Sequence, residues 1–112
     1  MEKNTGTEYN LDELASRIEF DREDYIPLLS LFVEQTLLDL EEIQRYLPKG
    51  NEKVISERIH NIKGAALNLE LDRIADILDS ASALNHAFEH TDMVSIIDEC
   101  VKEADTLKRL LE

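Results

Sequence analysis

"RIHNIKGAALNLEL" (residues 58–71) decides how the chain reads, because a helical pattern there carries a glycine in its interior. Glycine at such a position costs about 1 kcal/mol relative to alanine. Something must be gained where the side chain is missing. A helix turns about 100° per residue, so the faces of residues 52–69 can be laid out. With Ile62 at the centre of the apolar face, Ile55, Ile59, Ala66 and Leu69 fall within about 60° of it. His60 falls about 160° away and is expected to face solvent. Residues three and four apart adjoin on a helix, so Ser56, Glu57, Lys63 and Gly64 surround His60. Leu67 lies one turn further and Lys53 two turns back.

Outward from this stretch the apolar period stays helical. Asn10 followed by Glu13 resembles a capping box and opens a short helix around Leu11–Ile18. Asp21 or Asp24 can cap the next helix, with Pro27 in or near its first turn, where a missing N–H matters least. Ile26, Leu29, Val33, Thr36, Leu40, Ile43 and Leu47 form its buried stripe, and "PKGN" (48–51) ends it. Asn51 caps the helix that holds His60, and a break falls near Leu69–Asp72. Ile74, Ile77, Ala81, Leu84 and Phe88 mark the following helix. "EHTD" (89–92) turns the chain with Thr91 as cap, and Met93, Ile97, Cys100, Ala104, Leu107 and Leu111 mark the last helix. Short connections make successive helices antiparallel. The expected fold is therefore all-α, an antiparallel up-down four-helix bundle with a short extra N-terminal helix. Residues 1–9 read as a flexible polar tail and residues 10–112 as one bundle domain.

The totals narrow the function. The chain has 112 residues, 43% apolar and 33% charged, enough for one domain with its own core. A formal net charge of −13 argues against broad binding to nucleic acid or to an anionic membrane. No apolar run approaches the length needed to span a bilayer, and "MEKNTGTEYN" lacks the apolar core of a signal peptide. Cys100 is the single cysteine, so no internal disulfide forms; it lies on a core stripe and reads as an inert packing residue. A cytoplasmic location is expected. The initial methionine and modest tail suggest a free-standing protein, with a segment of a larger hybrid kinase as the open alternative.

On the solvent face of the His60 helix, Gly64 removes the side chain that would obstruct approach to the imidazole. Lys63 sets a positive charge beside any anion formed there, and Leu67 offers apolar area to a docked surface. Such a face suits an exposed nucleophile meeting a bulky anionic electrophile. The bland reading stands beside it: a lone exposed histidine is usually only surface, and a lysine three residues on is common in charged helices. Gly64 lies off the apolar stripe, which weakens close helix packing as its explanation. His86 and His90 have no comparable setting.

His60, Lys63 and Gly64 in "HNIKGAALNLEL" resemble the signature of histidine-containing phosphotransfer (HPt) domains. Ala65, Ala66 and Asn68–Leu69 fit as well, and "LFVEQTLLDL" (31–40) is similar to the family's preceding long helix. The resemblance runs from about residue 11 onward. One departure is Glu70, which stands where the family commonly has a second glycine. The resemblance implies a phosphorelay: His60 accepts a phosphoryl group from an aspartyl phosphate on a receiver domain and passes it to another receiver. It implies partners of two kinds, a response-regulator receiver domain and a hybrid sensor histidine kinase, with this chain acting as a monomer. Imidazole is nucleophilic near neutral pH, and phosphoryl transfer needs positioning and charge stabilisation above all. Lys63 would screen the phosphoryl charge and Gly64 would give steric access. No Gly-rich phosphate loop is present, so no kinase activity toward ATP is expected. The His60 face has no acidic cluster to hold Mg²⁺; no cofactor is expected, and the receiver would supply the metal. Docking candidates are Leu67 with Ser56 and Lys53 at its rim, and Phe32 on the preceding helix.

Two rivals remain. Glu57-x-x-His60 matches half of a di-iron bundle motif, but the second element is missing and His60 points outward. A helical adaptor without phosphoryl chemistry could use the same surface, though it leaves the His–Lys–Gly arrangement without a reason.

Overall fold

The Asn10 side chain accepts a hydrogen bond from the backbone N–H of Glu13 at 3.0 Å and so opens α1 (Leu11–Arg17). The computed structural model describes residues 9–84 and 90–112. Four longer helices follow: α2 (Arg22–Tyr46), α3 (Glu52–Asn68), α4 (Asp72–Leu84) and α5 (His90–Leu111). No strand occurs among the described residues. α2 packs on α3 and α5, and α4 packs on the same two, so the four helices close a ring while α1 leans on α2. That is the packing a four-helix bundle requires. Leu29, Ile43, Ile62, Ile74, Ile97 and Leu107 are fully buried within it. Each contributes about 1.5–3 kcal/mol of hydrophobic stabilisation.

Asp21, one of the two caps read from the sequence, is the N-cap of α2, without a side-chain cap hydrogen bond, and the first helical residue is Arg22, which sets Pro27 just past the first turn. Proline leaves the Glu23 carbonyl without its helical donor. Both residues are exposed, so water can take that place. The buried face is wider than one stripe. Tyr25, Phe32 and Asp39 join it because α2 meets α1, α3 and α5 together. Phe32, the docking candidate on this helix, widens the core face, with 5% exposure.

A 3-10 turn (Leu47–Lys49) follows α2 and ends on Gly50 at φ 70°, a left-handed conformation that glycine adopts freely. Asn51 then accepts from the N–H of Val54 at 3.3 Å and caps α3, as its sequence position indicates. Residues 1–8 of the expected tail lie outside the described residues, as do His86 and Phe88. α5 starts at His90, so Thr91 falls inside that helix instead of capping it.

The end of α3 shows what Glu70 does in place of a glycine. Leu71 N–H bonds the Ala66 carbonyl at 2.8 Å and Glu70 N–H bonds the Leu67 carbonyl at 3.1 Å. These two bonds are a Schellman closure, which requires a left-handed residue at Glu70. Glu70 adopts φ 60° accordingly. The buried Tyr25 hydroxyl donates to the Leu69 carbonyl at 3.0 Å and fixes the same turn from α2. A side chain with a Cβ is strained in that conformation by about 1–2 kcal/mol, partly offset by glycine's freer unfolded chain. Glu70→Gly is therefore expected to stabilise the fold by about 0.5–1 kcal/mol, read as a higher denaturation midpoint at unchanged slope. A lower midpoint would show that the Glu70 side chain contributes more than its backbone strain takes away.

Glu103 ties α4 and Tyr9, just before α1, to α5. Arg73 donates to both its carboxylate oxygens, at 3.1 and 2.9 Å, and the Tyr9 hydroxyl donates at 2.6 Å. Burial by itself raises the Glu103 pKa, but the hydrogen bonds from Arg73 and Tyr9 and the guanidinium charge outweigh it and hold the carboxyl below its usual range. A depressed folded pKa stabilises above the unfolded value and loses that contribution as pH falls through the folded one. Acid unfolding should therefore steepen below about pH 4.3, the ordinary glutamate value. Glu103→Gln should cost about 1–3 kcal/mol at neutral pH and flatten this acid limb, which denaturant titrations at pH 7 and pH 3 would measure.

Candidate functional site

α3 buries Ile55, Ile59, Ile62 and Ala66 and turns His60 to solvent. Lys53, Ser56, Glu57, Gly64 and Leu67 are exposed on the same side, Leu67 to 50%. The core contacts of α3 leave His60 no other direction, because the two faces of one helix are fixed to each other. A Cβ added at Gly64 would meet nothing within 4 Å. The glycine therefore serves no internal packing, and the space above it is open to a visitor.

Two features flank the crest on which His60 stands. On one side runs a groove between α2 and α3, bordered by Leu28, Leu31, Asn61, Ala65 and Asn68. Leu28 and Leu31 are 39% and 62% exposed, unusually open for leucines beside a core. Phe32 also lines this groove. Arg58 spans the groove, donating to Glu42 at 3.0 Å and lying 3.6 Å from Asp39. Burial, with the nearby Glu42 charge, raises the Asp39 pKa, while Arg58 and a hydrogen bond with Gln35 oppose it. On the other side Lys63 forms an ion pair with Asp79 of α4.

Sequence reading found the exposed face of α3 but missed Leu28, Leu31, Asp39 and Asp79. Leu28 and Leu31 carried a signal, since both are apolar positions outside the buried stripe of α2. Asp39 also carried one, lying three residues from Thr36 and beside Leu40 on the buried side. Asp79 carried none, because its partner sits on another helix. Among the described residues no group of three or more His, Cys, Asp or Glu side chains could hold a metal ion. The Cys100 thiol is fully buried, and burial, with the charges of Glu103 and Glu99, pushes its pKa up to about 12. It is a packing group and not a nucleophile.

His60 thus stands exposed on one helix of the bundle, with Lys63 and the bare Gly64 one turn along. The family model for the Hpt domain matches residues 27–111, well over half of the chain. No curated protein and no solved structure matches it. The chain belongs to the Hpt domain family, whose members carry phosphoryl groups between phosphorelay partners and are not kinases. No described helix is long and apolar enough to cross a membrane.

Proposed function

We propose that His60 is the phosphoacceptor. One imidazole nitrogen attacks the phosphorus of an aspartyl phosphate on a receiver domain. The N–P bond forms as the bond to the aspartyl oxygen breaks, the carboxylate leaves, and the imidazole loses its N–H proton to solvent. A second receiver takes the group by the reverse exchange. Lys63 screens the phosphoryl charge, and Gly64 admits the receiver's active site. Leu67, rimmed by Ser56 and Lys53, docks the receiver together with Leu28 and Leu31 beyond the crest. The Mg²⁺ and the aspartate come from the receiver, and this chain supplies no cofactor. It works in the cytoplasm as a monomer, between a hybrid sensor kinase and a response regulator.

The open space above Gly64, one turn from the exposed His60, carries this reading. A structural glycine would fill a tight contact, and this one fills none. The test is transfer from phosphorylated receiver domains to the purified chain. Acid-labile, base-stable label on the chain is the expected result. A receiver that binds tightly yet transfers no label would make the chain an adaptor and overturn the proposal.

A further inference from the structure

Lys63, one turn from His60 on the same side of α3, is already engaged. Its ammonium pairs with the Asp79 carboxylate, which reaches across from α4. Lys63 keeps 32% of its side-chain surface in solvent and Asp79 keeps 55%. An ion pair so exposed is weak and readily exchanged. A phosphoryl group on His60 would bring about 1.5–2 negative charges and three strong acceptor oxygens to the same face. Lys63 lies one turn on from His60 and about 60° around the helix, on the α4 side. Its long flexible stem can serve either anion but not both fully.

We infer that Asp79 is a positioning residue for phosphoryl transfer: it competes with phospho-His60 for Lys63. This inference rests on His60 being the phosphoacceptor. Before transfer Asp79 holds the ammonium aside, over α4. After transfer the phosphoryl group draws the ammonium over, and Asp79 is left without its partner. The bound phosphoryl group is thus held less firmly than Lys63 alone would hold it. For a relay intermediate this has a use, since a group held too firmly would not be passed on.

The competition is readable in the second ionisation of the phosphoryl group itself, followed by ³¹P NMR on chain phosphorylated with phosphoramidate. Asp79→Asn frees Lys63, so the dianion is favoured and its ionisation constant rises by about twofold to fivefold, the range of an exposed charge pair. In a Lys63→Met background the same replacement should change the constant by clearly less. Asp79→Glu should restore the wild-type value. Glu57 and Lys53, the other charges on this face of α3, and Asp76, one turn before Asp79 on α4, are unchanged throughout, and circular dichroism checks that every variant stays helical. An unchanged constant in Asp79→Asn, or equal changes in both Lys63 backgrounds, would overturn the competition while leaving His60 as acceptor. If phosphoramidate produces no phosphohistidine signal on the wild type, the acceptor assignment fails, and this inference with it.

Discussion

Replacing His60 with glutamine will abolish phosphoryl acceptance and leave the fold intact. The glutamine amide is similar in reach to imidazole, but its nitrogen lone pair is delocalised into the carbonyl. It cannot form the N–P bond. The loss should therefore be complete within detection, not graded. His60 is exposed, with its buried neighbours Ile59 and Ile62 untouched, so the change in stability should stay within about 0.5 kcal/mol. Label transfer measured beside thermal unfolding separates chemistry from folding. Residual acid-labile label on His60→Gln would move the acceptor elsewhere.

Gly64 should show two effects of opposite sign. Nothing lies within 4 Å of a Cβ built there, so a larger residue meets no clash inside the protein. Gly64→Ala should stabilise the fold by about 1 kcal/mol, the usual helical penalty of glycine. Gly64→Leu should also fold at least as well as the wild type. Its added side chain would stand one turn from the imidazole, where the receiver must approach. Displacing reacting atoms by about 1 Å can cost on the order of a hundredfold in rate, so receiver-dependent transfer should fall by about tenfold to a hundredfold. Phosphoramidate is too small a donor to be blocked in the same way by the introduced side chain. Its phosphorylation of the Gly64→Leu variant should change little. That contrast is the diagnostic. Equal losses with both donors would point to a disturbed imidazole instead of a blocked partner, and no loss with either would leave the glycine without a role in access.

These two residues were legible in the sequence because both belong to one helix. The angle between His60 and Ile62 is set by the helical repeat, and burial of Ile62 then decides where His60 points. The same local logic located the caps Asn10 and Asn51 and the break after Leu69. Thr91 shows its margin, since a helix end can shift by a residue without altering the apolar period. Phe32 shows another limit. A single stripe was expected on α2, but a helix with three neighbours buries more than one stripe.

By itself, then, the sequence determined the helices, their apolar faces and the exposure of His60 with Gly64 beside it. All of these follow from the repeat of one helix and the removal of apolar surface from water. Tertiary structure alone decided who meets whom across helices. It paired Lys63 with Asp79, Arg58 with Asp39 and Glu42, and Arg73 and Tyr9 with Glu103, and it set the Tyr25 hydroxyl on the Leu69 carbonyl. Each of these contacts joins residues at least 16 positions apart. Their geometry depends on how neighbouring helices rotate and slide against each other, which side-chain packing fixes and no local periodicity records.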